Sequence, residues 1–403
     1  MRRAETILNI VRERGRRGLP LERVYRLLYN PELYHTAYGK IYRNDGALTP
    51  GSTEETADGM SLAKIEAITG ALRHERYRWR PVRRIYIEKP RSNKNKRPLG
   101  IPSWSDKLLQ EVIRLILEAY YEPQFSDRSH GFRPGRGCHT ALSEIQRKWS
   151  GTTWFVEGDI SECFGSLDHS ILLSILSEKI HDNRFLRLIE NLLKAGYLEE
   201  WRFNATLSGT PQGGVLSPIL SNIYLDRLDK YVETTLLPNH NRKAERGYNP
   251  EYNYLRDRAK RLAKRGHNSE AEQTRKRTRS MPSRDPDDPD FRRLRYVRYA
   301  DDFLLGFIGV REEAEQIKWQ LKGFMRDSLK LELSDSKTLI THGRTQAARF
   351  LGYEVVVLHD DTKQSRRGRA INGIIGLKVP AEVVRAKCAP TKRVANQYTG
   401  RNA

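Results

Sequence analysis

Cysteine is scarce in this chain of 403 residues: Cys138, Cys163 and Cys388 are odd in number and far apart. That spacing excludes a disulfide framework and a thiolate zinc site. Long apolar runs are missing as well. The longest stretch without a charge, Phe203 to Leu225, is interrupted by Gly209, Pro211, Gly213, Gly214 and Pro218, and a membrane helix does not tolerate that density of breakers. The arginine-rich N-terminus contains Glu5 and Glu13 and is followed by no apolar signal core, so no secretory leader is read there. The expected compartment is an intracellular, reducing one: a bacterial cytoplasm, with an organelle as the alternative.

Acid is in deficit. Lys and Arg number 72 against 50 Asp and Glu, a formal net charge of +22. The surplus is spread along the chain, with 10 basic and 5 acidic side chains in residues 1–50, 18 and 9 in 242–298, and 10 and 1 in 363–403. A molecule this basic repels itself unless it meets a polyanion, and nucleic acid is the commonest one. With 38% apolar and 30% charged residues, the chain is rich enough in both to fold into an enzyme-sized core of two or three domains.

The patterning predicts an α+β chain. A helix is expected over 61–77, an alternating strand at Arg83–Ile87, a polar basic turn from Lys89 to Arg97, and a second strand at Leu99–Pro102. Asp106 is read as the cap of a helix whose apolar face is Leu108, Leu109, Val112, Ile116 and Tyr120, stopped by Pro123. Trp154 to Ile160 reads as a buried strand ending in an acid, Asp159. Asp168 and Ser217-Pro218 open two further helices. Residues 238–293 lose almost all apolar character and read as a mobile surface insertion, helical near 250–265. Tyr296–Tyr299, Ala300-Asp301-Asp302 and Phe303–Ile308 read as strand, tight turn, strand. A helix at about 311–328 and a strand pair near Phe350–Val355 follow. Trp104, Trp149 and Trp201 are assigned to packing, and His130 and His139 to structural roles.

The chemistry is expected at the acids. Two adjacent carboxylates, Asp301 and Asp302, on a turn fixed by apolar strands repel each other unless a cation sits there. Asp159, at the end of another buried strand, is positioned to meet them across one sheet. Carboxylates from two strands make a hard-cation site of the kind that takes Mg²⁺, and two such ions can activate a hydroxyl and stabilise a pyrophosphate leaving group.

Phe155 to Phe164 (FVEGDISECF), Gly209 to Pro218 (GTPQGGVLSP) and Tyr299-Ala300-Asp301-Asp302, in that order, resemble the reverse transcriptase of group II introns. Arg97 to Pro102 (RPLGIP), Gly131 to Arg136 (GFRPGR) and Phe350-Leu351-Gly352-Tyr353 resemble further motifs of the same family. The resemblance spans about residues 80–357 and implies a right-hand polymerase fold: a 1–75 N-terminal extension, fingers over 76–153, a palm over 154–358 interrupted by the basic 238–293 insertion, and the start of a thumb and maturase region over 359–403. It implies Asp159, Asp301 and Asp302 as catalytic metal ligands with Ile160 beside them, two Mg²⁺ ions (Mn²⁺ as substitute), and Lys337 as a proton donor to pyrophosphate. Lys89, Arg97, Phe164 and Gln212 fall where the family holds the incoming nucleotide, Phe164 as the aromatic gate against a ribose 2′-hydroxyl. Leu351, Gly352 and Tyr353 fall in its primer grip. The implied partners are group II intron RNA, an RNA template with a DNA primer, dNTPs and target DNA.

Arg256, Arg258, Lys260, Arg261, Lys264 and Arg265 in the insertion have helical spacing and are candidates to follow an RNA backbone. The family ordinarily continues into a maturase segment, whereas Thr391–Ala403 is polar and the chain stops, so a truncated copy or a fragment is expected. Competing readings are a non-catalytic RNA-binding splicing cofactor and a domesticated retron or defence reverse transcriptase. The clustered acids argue against the first, and the insertion against the second.

Overall fold

The computed structural model describes residues 3–88, 96–161, 163–199, 202–206, 208–209, 213–285, 288–359 and 373–388. Lys89, Trp201 and Gln212 lie outside the described residues.

At the centre stands a four-stranded antiparallel sheet in the order Ile340–His342, Trp154–Asp159, Asp302–Ile308, Arg293–Tyr299. Its inner strands read as continuous apolar runs because both faces are covered. Val156, Phe303 and Leu305 point into a large core shared with the helices, while Phe155, Leu304 and Val297 point into a second cluster with Trp149, Phe350, Val355 and Ile375. Successive residues therefore serve opposite faces, as strand geometry requires. Beneath the first face runs the helix Trp104–Tyr121, buried along almost its whole length, with helices Ala4–Arg16, Pro31–Ile41 and Ser217–Tyr231 packed around it.

The N-terminal segment is built into this body. Leu21–Glu22 pairs in parallel with Ile180–His181, and Tyr120 donates its hydroxyl to Leu19 O at 2.7 Å. A second sheet, in the order Lys96–Ile101, Val82–Glu88, Tyr197–Glu199, Arg202–Asn204, carries the basic hairpin. A third joins Ala348–Phe350, Tyr353–Val357 and Ile375–Lys378. Residues on both sides of position 359 thus share one sheet.

Two sequence expectations are corrected. The helix at Trp104 is capped by Ser103, whose Oγ accepts from Asp106 N at 3.3 Å, and not by Asp106. Asp106 is the third helical residue; its carboxylate accepts from Ser103 Oγ at 2.8 Å, from Tyr77 Oη at 2.7 Å and from Arg80 N at 3.2 Å. It braces the capping serine through the side-chain hydroxyl. The insertion, expected to be a mobile loop with one helical stretch, holds two helices, Pro250–Lys264 and Asn268–Arg279, packed as a hairpin. Leu255 and Ala259 of the first and Ala271 and Thr278 of the second are its buried seam. The small side chains let two very polar helices close with few apolar residues. Its stem is tied by bridges Arg242↔Arg292 and Tyr248↔Arg284, with Arg284 stacked 4.1 Å over the Tyr248 ring.

Candidate active site

Asp159 ends one inner strand, Asp302 begins the other, and the sheet register pairs them directly, Asp159↔Asp302. Gly158, one residue back, is required by close approach: a Cβ there would lie 2.1 Å from the Phe303 ring on the facing strand. The Tyr299↔Asp302 pair leaves only Ala300 and Asp301 in the connecting turn. Ala300 has φ 55°, in the left-handed region, where an alanine is strained by about 1–2 kcal/mol. Surrounding contacts fix it there. A Cβ on Gly131 would fall 2.3 Å from Ala300 N, so the glycine lets the segment before Phe132 press directly on the acid turn.

The strongest of those contacts comes from Arg298, wholly buried with its partner Asp229. Its Nε and one terminal nitrogen donate to Asp229 Oδ1 at 2.8 Å and Oδ2 at 2.6 Å. The remaining N–H groups reach Ala300 O at 2.8 Å, Asn222 Oδ1 at 3.2 Å and Ser129 Oγ at 2.9 Å. All five guanidinium donors are satisfied, and they bind the turn carbonyl to the helix Ser217–Tyr231 and to the Ser129 segment. Neither Arg298 nor Asp229 stands out in the sequence. The only signal is an arginine preceding Tyr-Ala-Asp-Asp on a strand otherwise apolar on its inner face.

The acids repel one another. Burial, then Asp301, then Asp159 push the Asp302 carboxyl up to about 7, with Lys337 and Arg97 pulling the other way. Burial and Asp159 also raise Asp301. Lys337 donates to Asp159 Oδ2 at 2.9 Å, and Arg97, on the basic hairpin, is close enough to act electrostatically on both other acids. These two cations do not neutralise the group fully, and an all-carboxylate donor set short of positive charge fits a hard divalent cation. Among the described residues no three His, Cys, Asp or Glu side chains are already gathered as a metal cage; the lysine occupies an oxygen of Asp159. Ile160 is buried and bridges to Leu333, so only its backbone is available to a metal.

A cleft of about 380 Å³ opens beside Asp159 and Asp302 and is closed on its far side by Lys337, Arg349, Phe350 and Leu351. Leu351 and Gly352 form its turn, with φ 51° and 79°, between paired Phe350 and Tyr353. Glu157 fixes this turn to the acid strand: its carboxylate accepts from Arg349 N at 2.8 Å and from the Thr341 hydroxyl, and burial raises it. Sequence reading passes over Glu157 although it lies two residues before Asp159. Phe164 is half-buried on the short helix Cys163–Ser166 and is absent from both apolar cores, which disfavours a packing role. Gly209, at the start of the glycine loop, has its N–H on Leu167 O at 2.8 Å and its carbonyl on His169 Nε2 at 2.7 Å. His130, by contrast, bonds Thr140 Oγ1 at 2.8 Å inside the body, as expected of a structural histidine.

The profile of reverse transcriptases (RNA-dependent DNA polymerases) matches residues 87–355, a span that includes Asp159, Asp301 and Asp302. The chain belongs to the reverse transcriptase family. The matched span implies a polymerase-like fold for the mixed helix and sheet body. Among curated relatives, the group II intron-encoded protein LtrA of Lactococcus lactis subsp. cremoris is 46% identical over 89% of this chain and 61% of its own length. A 91 kDa protein of the cob intron of Schizosaccharomyces pombe is 37% identical over 93% of this chain and 46% of its own. Protein YkfC of Escherichia coli is 33% identical over 87% and 86%. The chain thus groups with group II intron reverse transcriptases and maturases, and it spans about three fifths of the length of the first of these relatives. A solved chain of a partial Cas6-RT-Cas1–Cas2 complex overlays 76% of this chain and 43% of its own length at 18% identity, with a TM-score of 0.39, too loose a likeness to carry an argument. Among the described residues no helix is long and apolar enough to cross a membrane.

The cations of the insertion are distributed around its outer surface. Arg258, Lys260, Arg261, Lys264 and Arg265 are exposed, while Arg256 is half-buried and pairs with Asp257 at 3.1 Å. At helical spacing, Arg256, Lys260 and Lys264 form a row on one flank of the Leu255–Ala259 seam and Arg258 and Arg261 lie on the other, with Arg265 at the helix cap.

Proposed function

We propose that this chain is an RNA-directed DNA polymerase of a group II intron retroelement, joining the 3′-hydroxyl of a DNA primer to the α-phosphate of a dNTP on an RNA template and releasing pyrophosphate. The observation that carries the proposal is the register pair Asp159↔Asp302, with Asp301 on the adjoining turn and the Asp302 carboxyl lifted to about 7 by burial and its acidic neighbours. When bound, two Mg²⁺ ions, replaceable by Mn²⁺, supply the charge that activates the hydroxyl and stabilises the leaving pyrophosphate. Asp159, Asp301 and Asp302 would hold them, with the Ile160 carbonyl as a further oxygen donor.

In a right-hand reading, the central sheet is the palm, the hairpin Val82–Glu88 and Lys96–Ile101 belongs to the fingers, and the residues after 358 begin the thumb. Arg97, with Lys89, supplies positive charge for the triphosphate. Lys337, already bonded to Asp159, is suited to protonate the departing pyrophosphate. Phe164 stands against a ribose 2′-hydroxyl, and Gln212 lies against the incoming nucleotide. The turn Leu351–Tyr353 grips the primer end in the cleft beside Asp302. The exposed cations of the insertion bind intron RNA, and target DNA is the further nucleic-acid partner.

The test is primer extension on an RNA template with Mg²⁺. Asp301→Asn removes a ligand charge at constant shape, and synthesis is expected to fall by several orders of magnitude with RNA affinity unchanged. Synthesis near the wild-type rate would exclude the two-metal assignment.

A further inference from the structure

Phe132 is an aromatic residue in an unfavourable place. Its backbone has φ 55°, which a bulky side chain rarely adopts, and its side chain is 53% exposed. Neither condition is offset by burial in a core. The residues on each side are nonetheless clamped. Gly131 lies against Ala300, where a Cβ would come 2.3 Å from Ala300 N, and its carbonyl accepts from Asn222 Nδ2 at 2.9 Å. Arg133 is buried, with bonds to Glu122 Oε1 at 2.9 Å and Ser129 O at 2.8 Å. The chain therefore turns inward at 131 and 133 and projects only Phe132 outward.

What that side chain meets is Phe164. The two rings stand edge to face, centroids 6.3 Å apart and planes at 74°, a favoured aromatic geometry. The pair also joins the two acid-bearing segments. Phe132 follows the glycine seated on the Ala300 turn, and Phe164 lies five residues after Asp159.

We propose that Phe132 is a positioning residue for sugar discrimination: its ring fixes the orientation of Phe164 and so sets how strictly a ribose 2′-hydroxyl is kept from the nucleotide beside the acids. The proposal rests on the reading of Phe164 as the gate. An unsupported Phe164, half-exposed on a four-residue helix, has free rotamers and can swing away from a bulkier sugar. A ring against its side removes that freedom. An aromatic pair of this kind changes an equilibrium by about two- to tenfold.

The experiment uses the full chain on an RNA template with a DNA primer, and measures kcat/KM for a dNTP and for the matching rNTP. Phe132→Ala is expected to lower the dNTP/rNTP ratio about two- to tenfold, with dNTP turnover little changed. Phe132→Tyr, which keeps the ring, holds the wild-type ratio. Phe164→Ala lowers the ratio further, and the double variant falls no lower than Phe164→Ala alone. Phe132→Gly, which takes φ 55° without strain, guards against loss of fold and should match the alanine variant. A wild-type ratio in Phe132→Ala beside a lowered one in Phe164→Ala overturns the proposal and leaves the gate intact. Additive losses in the double variant overturn it as well, because Phe132 would then act independently. A wild-type ratio in Phe164→Ala rejects the gate reading itself.

Discussion

The acid turn and the basic insertion are reached by one continuous piece of chain, yet they are held by opposite means. Ala300 and Asp301 are fixed by residues far away in sequence: Ser129, Gly131, Asn222 and Asp229 all converge on the turn or on Arg298 beneath it. The helical hairpin 250–279 is held by neighbours, with its own seam, its own stem bridges, and local pairs such as Arg277–Glu251 at 2.9 Å. One region is over-determined and holds its carboxylates in a single arrangement. The other is self-contained and presents charge. Chemistry needs the first kind of support, and adhesion to a polyanion needs only the second.

Breaking the first region should have the largest effect. Asp159→Asn is expected to abolish synthesis as Asp301→Asn does, and the double variant should fall far less than the two single effects combined, since the acids act as one unit. Primer extension measures both. Next comes Arg298→Met, which leaves Asp229 charged in the core without its counter-charge, held only by the Tyr296 hydroxyl at 2.8 Å. A destabilisation of about 3–5 kcal/mol is expected in denaturant unfolding. Arg298→Met with Asp229→Leu should recover much of the stability, though not the activity, because the bond to Ala300 O is still missing.

The acids also give a pH signature in the metal-free protein. With its carboxyl raised to about 7, folded Asp302 keeps a proton that the unfolded chain releases in the ordinary carboxylate range. This group's contribution to stability is therefore present at low pH and declines as pH rises to about 7. Asp302→Asn should leave the melting temperature nearly unchanged at pH 3, where both states are protonated, and raise it progressively to a full effect at pH 8. An equal shift at both values would show that burial and the neighbouring acids do not raise this carboxyl in the folded protein.

Smaller effects lie in the insertion. Replacing 242–290 by a short Gly/Ser joint should flatten the slope of log affinity against log salt by about 0.7–0.9 for each phosphate that is no longer neutralised, while short-template synthesis persists. An unchanged slope on structured intron RNA would make the hairpin a solvated bystander. Smallest of all, Ala300→Gly should stabilise the fold by about 1 kcal/mol in denaturant unfolding, by relieving left-handed strain.

The secondary structure around the acids is legible because each strand is bounded by clear signals: apolar runs ending in Asp159, and a two-residue turn between Tyr299 and Asp302. The helix Asn268–Arg279 is not, because its buried face is only Ala271 and Thr278, too narrow for hydrophobic periodicity to register. Asp106 reads as a cap because Ser103 and Asp106 are both capping residues, and sequence alone does not say which stands outside the helix. Arg298, Glu157 and Phe132 are hidden for a different reason. Each acts through a partner between 32 and 192 residues away, and a single sequence carries no mark of such pairings. Lys337 is read from its family position as a proton donor to pyrophosphate; its bond to Asp159, 178 residues away, is equally unmarked in the sequence.

The antiparallel sheet order has a consequence for synthesis of the chain. The strand Trp154–Asp159 receives neither neighbour from nearby sequence; one side is covered by Asp302–Ile308 and the other by Ile340–His342. At about 5–20 residues per second, the Trp-Phe-Val edge that carries Asp159 waits roughly ten to forty seconds on the ribosome before both flanks exist. Roughly three tenths of that delay is the basic insertion. So long-lived an unpaired apolar edge exposes the nascent chain to aggregation, and slower or faster codons across 242–292 are expected to change the soluble yield.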